Sequence, residues 1–145
     1  MPHTVKVTVT ERRGRQYAST GASWEPVLGY SRAVRVDHTI HVTGTVGVEA
    51  DGTFSSSLQG QSRRALTIII AAIEALGGQV YDVVRTRIYL TDISRWKEVG
   101  EVHGEIFGEI RPATTIVEVS RLIDKEALVE IEAEAVINPE ELEIM

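Results

Sequence analysis

Apolar residues recur every three or four positions between Leu58 and Leu76, and this periodicity constrains the fold more than any other feature of the chain. The spacing predicts an amphipathic α-helix with one apolar face. Ser56 or Ser57 can cap its N-terminus, and Gly77-Gly78 supplies a left-handed stop. The chain therefore contains a long helix whose apolar face must pack against other segments.

Six further segments alternate apolar and polar residues or are rich in β-branched residues, which predicts strands. These are Thr4–Thr10, Ser31–Val36, Thr39–Val46, Val83–Leu90, Thr115–Val119 and Leu128–Ile137. A second helix is predicted from Arg95 to about Ile110, with Trp96 and His103 on its apolar stripe. The economical fold is α+β, a mixed β-sheet with both helices packed on one face, and residues 1–145 are expected to form one domain.

The opposite face of the predicted sheet has no helix left to cover it. Val and Ile occur on this face at several strands, so we expect another copy of the chain to cover it. Gly44 interrupts the strand Thr39–Val46. A glycine inside a strand often marks a bulge or a close approach by a ligand or a backbone.

Composition excludes several classes of function. The net charge of −6 argues against broad phosphate binding, and the basic cluster of Arg12, Arg13 and Arg15 is expected to be a solvated loop, so no nucleic-acid partner is predicted. Cysteine is absent, which excludes disulfides and thiolate chemistry. No apolar run is long enough for a membrane span or a signal peptide, and a cytoplasmic protein is expected.

The last third of the chain carries two distinctive motifs, RPATTIVEV at 111–119 and LVEIEA at 128–133. They resemble the C-terminal signature of the RidA/YjgF family, and GYSRAV at 29–34, TGT at 43–45 and DVVRT at 82–86 are similar to its upstream elements. The resemblance covers roughly residues 25–137. It implies a chorismate mutase-like fold and a homotrimer with ligand clefts between subunits. In active members these clefts hydrolyse the imine tautomers of enamines.

The resemblance also implies roles for individual residues. Glu130 corresponds to the cleft glutamate that positions water, and Tyr30 corresponds to the early tyrosine. The family's substrate-binding arginine follows the Pro-Ala pair, where this chain has Thr114, and the family's helix asparagine aligns with Gly100. A hydroxyl cannot replace a bidentate guanidinium.

Other cations could bind a ligand in place of the arginine. Arg32, His103 and Arg111 are the candidates, of which Arg32 and His103 are favoured. The expected binding set is completed by Thr43 and Gly44, both from the TGT turn. Each residue also has an ordinary structural interpretation. His103 could be a core histidine, and Glu130 could belong to a solvated row with Glu132 and Glu134 that pairs with Arg85 and Arg87.

Two functions are consistent with this pattern. The first is a RidA-like hydrolase or deaminase acting on an imine or a related small carbonyl metabolite. The second is a non-catalytic trimer that binds a small metabolite and has lost deaminase activity. The four histidines are scattered, and no metal and no organic cofactor are expected. Endoribonuclease activity, with which such proteins are often labelled, is disfavoured by the acidic composition.

Overall fold

The computed structural model describes residues 5–138. Strands and helices follow in the order β1(Thr8–Arg12), β2(Arg15–Ser19), α1(Trp24–Leu28), β3(Ala33–Val36), β4(Thr39–Val46), α2(Leu58–Ala75), β5(Val83–Leu90), α3(Trp96–Phe107), β6(Ala113–Glu118) and β7(Val129–Val136). The seven strands form one sheet in the order β1-β2-β3-β4-β7-β5-β6, in which β5 and β6 are parallel and all other neighbours are antiparallel. The mixed sheet is therefore confirmed.

The helix α2 begins and ends almost where its periodicity predicts. The Ser57 side chain accepts a hydrogen bond from the backbone N–H of Gly60, and Gly77 has a φ of 91° just beyond the last turn. The helix packs its apolar face on β4 and β7, and α3 packs beside it. Buried residues of the sheet and of both helices form a continuous core, so both long helices lie on one face, as predicted.

The N-terminal region differs from the prediction. The segment around Arg13 is a tight hairpin between β1 and β2, because Arg12 pairs with Arg15 while Arg13 and Gly14 adopt φ values of 53° and 74°. Arginine rarely adopts a positive φ, so the sequence pattern favoured a loop. The strand expected at 4–10 is β1, which begins at Thr8 and is exposed along its length; Thr4 lies outside the described residues.

One expectation about burial was wrong and another holds only in part. Trp96 is 50% exposed, because the buried face of α3 is centred on Val99, Val102 and Phe107 and leaves Trp96 at its border.

The sheet face opposite the helices carries more polar groups than expected. Exposed valines lie on it at Val117 and Val136, as the sequence predicted. Its central strands, however, present the side chains of His41, Thr43, Arg85, Arg87, Tyr89, Glu130, Glu132 and Glu134. A partner that covers this face would meet charged and hydroxyl groups as well as valines.

Candidate functional site

Glu130 lies on the open face of β7, opposite the helices. Along this strand Val129, Ile131 and Ala133 are buried against the core at 2% exposure or less, and the glutamates alternate with them. The period of two along a strand therefore directs the Glu130 carboxylate away from the core.

The bulge expected at Gly44 is present and lies beside this carboxylate. The register between β4 and β7 shifts between Val42 and Thr45. A Cβ atom at Gly44 would stand 2.7 Å from Glu130 Oε2 and 3.0 Å from its Cδ. Only glycine leaves room for the Glu130 side chain in this position.

Arg32 is buried beside the Gly44 bulge and stabilises it with hydrogen bonds. Arg32 is 6% exposed, and its Nη1 donates hydrogen bonds to the Gly44 carbonyl at 2.9 Å and to Thr45 Oγ1 at 3.2 Å. Nη2 donates to the Tyr30 hydroxyl at 3.3 Å. Arg32 thus fixes the bulge and the tyrosine through its own hydrogen bonds.

A cavity of ≈ 270 Å³ opens above these residues. It is lined by Trp24, Leu28, Tyr30, Thr43, Gly44, Val46, Ile123, Asp124 and Glu130. Within residues 5–138 the Glu130 carboxylate has no ion pair or hydrogen bond, so its oxygens are available to a ligand or to water. Burial raises the pKa of Glu130, the nearby Arg32 lowers it, and Glu132 and Asp124 add to the rise. The result is a carboxylate whose basicity is increased, as a general base requires.

The second group of predicted residues lies elsewhere. Thr86 is fully buried on the helix side of β5, and its hydroxyl is 2.9 Å from His103 Nε2 and 2.8 Å from the Thr114 hydroxyl. Thr114 Oγ1 also lies 3.1 Å from the Pro112 carbonyl. Burial lowers the pKa of His103, which favours a neutral ring. Thr114 is exposed at the edge strand β6, so this hydrogen-bonded chain runs from a half-buried imidazole to the surface.

The two groups do not meet within one chain. Tyr30, Thr43, Gly44 and Glu130 line the cavity, whereas His103 and Thr114 lie on the helix side of the sheet. Arg32 belongs to the first group as a buried support and does not line the cavity. The candidate site is therefore divided between two surfaces of the same subunit.

The remaining sequence candidates take ordinary roles. Arg111 has a φ of 55° and donates from Nε to the Gly108 carbonyl at 3.1 Å. Of the expected pairs on the open face, Arg87 pairs with Glu134 at 3.0 Å and with Glu132 at 3.8 Å. Arg85 donates to Thr115 at 3.1 Å and pairs with no glutamate of residues 5–138. The row of paired glutamates is thus observed for Glu132 and Glu134 and not for Glu130.

Sequence reasoning missed the apolar and acidic walls of the cavity, which are Trp24, Leu28, Ile123 and Asp124. Their signal was weak because the short helix α1 and the loop before β7 have no periodicity long enough to read. Thr86 was also missed, since a threonine in a strand is common. Its alternation with Ile88 and Leu90, which are both fully buried, was the available clue.

A larger cavity of ≈ 500 Å³ lies beside α1 and contains Glu25. The Glu25 carboxylate accepts hydrogen bonds from the Ser19 hydroxyl and from the backbone N–H groups of Thr20 and Ala22. This carboxylate closes the loop between β2 and α1 and has little capacity left for a ligand. We therefore assign the candidate site to the Glu130 cavity.

Comparison with known proteins agrees with the sequence motifs. The family described as Endoribonuclease L-PSP matches residues 20–137. The chain belongs to this family, the RidA/YjgF family. A crystal structure of a YjgF/YER057c/UK114 family member from Mycobacterium tuberculosis is 49% identical, with a TM-score of 0.79, and the match covers 85% of this chain and 99% of that one.

Two curated relatives extend the comparison. A RutC family protein of Pyrococcus abyssi is 36% identical over 75% of this chain and 87% of its own length. A 2-iminobutanoate/2-iminopropanoate deaminase of Dermatophagoides farinae is 30% identical over 85% of this chain and 97% of its own length. The RidA/YjgF chain described here thus shares its fold with the family and has a named deaminase among its relatives.

Two other features bear on function. Among residues 5–138, no group of three or more His, Asp or Glu side chains could hold a metal ion. No helix in the same range is long and apolar enough to cross a membrane.

Proposed function

We propose that this protein hydrolyses an imine or a related small carbonyl metabolite in clefts between the subunits of a cytoplasmic homotrimer. The observation that carries the proposal is the Glu130 carboxylate, which lines an open cavity. Its pKa is raised, mainly by burial, and it has no ion-pair partner in residues 5–138. Such a group can accept a proton from a water molecule that attacks a C=N carbon. The deaminase named among the relatives carries out chemistry of this class.

Hydrolysis of an imine needs a water molecule and a general base in the correct position. Water adds to the imine carbon as Glu130 takes its proton, and the same carboxyl group then returns the proton to nitrogen. The hydroxyl proton of this intermediate then passes to nitrogen, the C–N bond breaks, and ammonia leaves as the carbonyl forms. The Tyr30 hydroxyl, which receives a hydrogen bond from Arg32, is placed to orient the substrate or the water.

The division of the site supports an assembly with shared clefts. Thr114 occupies a position that the family resemblance assigns to the cleft, and His103 lies one helical turn beyond another such position, Gly100. Both Thr114 and His103 nevertheless lie on the side of the sheet away from Glu130. A second subunit that presents its β6 edge at the cavity would unite both groups. A heterologous contact of this kind closes into a trimer when each subunit is rotated by one third of a turn from the next.

The alternative is a trimer that binds a metabolite without turnover. It is favoured by Thr114, which stands where the resemblance places the family arginine, and by the buried position of Arg32, whose two terminal nitrogens donate to Gly44, Thr45 and Tyr30. Neither residue offers a guanidinium to a substrate carboxylate. Turnover measurements separate the two functions.

The test uses two freshly generated imines, one with and one without a carboxylate, and measures ammonia release with wild type and with Glu130→Gln. We expect wild type to accelerate at least one of them and Glu130→Gln to lower that rate at least about a hundredfold. Glu134→Gln is the matched control, because Glu134 lies on the same face of β7 but binds Arg87.

Three results decide between the functions. Equal rates for wild type and Glu130→Gln on both imines would refute the hydrolase and leave the binding trimer. A loss of the same size in Glu134→Gln would show that Glu130 has no special role. Thr114→Arg, which supplies the missing guanidinium, is expected to raise the rate with the carboxylated imine.

The proposed assembly has its own test. Sedimentation should give three times the chain mass of 16.0 kDa.

A further inference from the structure

The cations available in this chain are unsuited to binding a substrate carboxylate. Arg32 is close enough to Glu130 to lower the pKa of that carboxyl group, but its two terminal nitrogens already donate to other groups and its Nε is buried. Turning the guanidinium toward the cavity would break these hydrogen bonds and leave the Gly44 carbonyl without this donor. Arg32 is thus committed to the bulge.

The other two candidates do not line the cavity of their own subunit, and neither is a free cation that a partner subunit's β6 edge would bring to it. His103 has a lowered pKa because it is partly buried, so its ring is neutral at neutral pH. Arg111 lies beyond α3 and donates to Gly108. Arg121 and Lys125 belong to the loop before β7 and are exposed, but they are not among the residues that line the cavity.

The cavity itself combines apolar walls with negative charge. Trp24, Leu28 and Ile123 are 41%, 60% and 69% exposed, which is unusual for large apolar side chains that lie together. The charged side chains of the lining are the carboxylates of Glu130 and Asp124. In this subunit's part of the cleft an anionic substrate would meet two like charges, which the buried Arg32 behind the lining offsets only in part. A cation with an apolar substituent would complement both the carboxylates and the apolar walls.

We propose that this cavity takes a protonated imine that has an apolar substituent and no carboxylate. The proposal rests on the proposed function and names its substrate class. The iminium nitrogen faces Glu130 and Asp124, and the substituent lies against Trp24, Leu28 and Ile123.

The reaction balances without any further reagent. The oxygen of one water molecule bonds to the iminium carbon, and Glu130 accepts a proton from that water. The carboxyl group returns this proton to nitrogen, the C–N bond breaks, and ammonia departs. The hydroxyl proton of the intermediate passes to ammonia, so that one iminium ion and one water give one carbonyl compound and one ammonium ion.

The test compares two imines that share a benzyl group. An amine oxidase acting on 2-phenylethylamine generates the imine of phenylacetaldehyde, and an amino-acid oxidase acting on phenylalanine generates the corresponding 2-imino acid. Ammonia release above the rate measured without the protein reports the hydrolysis of each imine. We expect kcat/KM for the uncarboxylated imine to be at least about tenfold higher, as one unfavourable charge contact in a partly buried site implies.

A cation placed in the cavity should reverse this preference. Leu28→Lys adds an ammonium group to the cavity wall and should raise kcat/KM for the 2-imino acid relative to the uncarboxylated imine. Val27→Lys is the matched control, because Val27 is 70% exposed on the same short helix and does not line the cavity. It should leave the ratio at the wild-type value.

Each outcome separates the substrate class from the proposed function. Faster or equal hydrolysis of the 2-imino acid, still lost in Glu130→Gln, would overturn the substrate class and leave the hydrolase intact. An unchanged ratio in Leu28→Lys would also overturn it. If neither imine is hydrolysed in a manner that depends on Glu130, both proposals fail.

Discussion

Replacing Gly44 with alanine should disable the site while leaving the fold nearly intact. The added Cβ would stand 2.7 Å from Glu130 Oε2, whereas ordinary contacts begin at 3.4 Å, so the carboxylate must retreat by about 0.7 Å. The atom in the way is the end of a flexible side chain and not backbone. The strain can therefore be relieved by rotation of Glu130 alone.

The expected effect on activity is much larger than the effect on stability. A general base displaced by a large fraction of an ångström loses its alignment with the attacking water, and we expect kcat/KM to fall roughly ten- to a hundredfold. The free energy of unfolding should change by less than about 1 kcal/mol, because alanine is no worse than glycine in a strand and the displaced carboxylate can reach solvent.

The measurement pairs imine hydrolysis with urea denaturation of the same preparations. Two alanine substitutions calibrate it. Gly104→Ala meets nothing within 4 Å and should keep full activity, whereas Gly47→Ala would place a Cβ 2.2 Å from the Gln61 carbonyl oxygen and should unfold the chain readily. Wild-type kcat/KM in Gly44→Ala would refute the placement of Glu130, and destabilisation like that of Gly47→Ala would refute the argument that the contact is soft.

Two further predictions concern assembly and pH. In the first, Glu130→Gln and Thr114→Trp chains, each verified as a trimer and each inactive, are mixed in equal amounts and co-assembled. The mixture should regain about one quarter of wild-type activity, since that fraction of the shared clefts contains two intact halves. No recovery would mean that one chain holds the whole site. The second concerns the raised pKa of Glu130, because of which the native state binds a proton on this carboxyl group more tightly than the unfolded state does. The free energy of unfolding of the wild type should therefore fall as pH rises from 4.5, the ordinary pKa of a glutamate, through the raised pKa of Glu130. Glu130→Gln should lack this fall and be the more stable protein at neutral pH in denaturation curves, and the opposite ranking would contradict the assigned shift.

The elements predicted well are those whose pattern is long and directly tied to burial. β5 spans Val83–Leu90 as expected, and α2 differs from its predicted end by one residue. Within β5 the alternation failed at one point: Val84 is 47% exposed, because the register with β7 shifts between Val83 and Arg85. A bulge of this kind leaves no mark in hydrophobic periodicity.

The elements that were missed are short and depend on their neighbours. β2 has only Ala18 fully buried, and it pairs through the Arg13-Gly14 turn, which lacks the usual Asn-Gly or Asp-Gly signal. The five residues of α1 end at Gly29, whose φ is 76°. A helix of this length is too short to show periodicity and is stabilised by packing rather than propensity.

The candidate site was predicted in composition but not in arrangement. The motifs pointed to Tyr30, Gly44 and Glu130, and the structure places all three around one cavity. The sequence also favoured Arg32 as a ligand-binding cation, and the structure shows it buried beneath the bulge. The charge of a side chain can be read from a sequence. Whether its hydrogen-bond donors are free to bind a ligand depends on tertiary contacts, which the sequence does not show.

The division of the site follows from strand geometry. β7, β5 and β6 are neighbours in the sheet, and Thr86 pairs with Thr114 on one side of β5 and with Ala133 on the other. Side chains at paired positions point to the same face, so Thr86 and Thr114 point with Ala133 toward the helices, whereas Glu130, an odd number of residues from Ala133, points away. No rotamer change can bring Glu130 and Thr114 together through the sheet. Any reaction that needs both residues must therefore use two chains, which is why the mixed-subunit experiment bears on mechanism as well as on assembly.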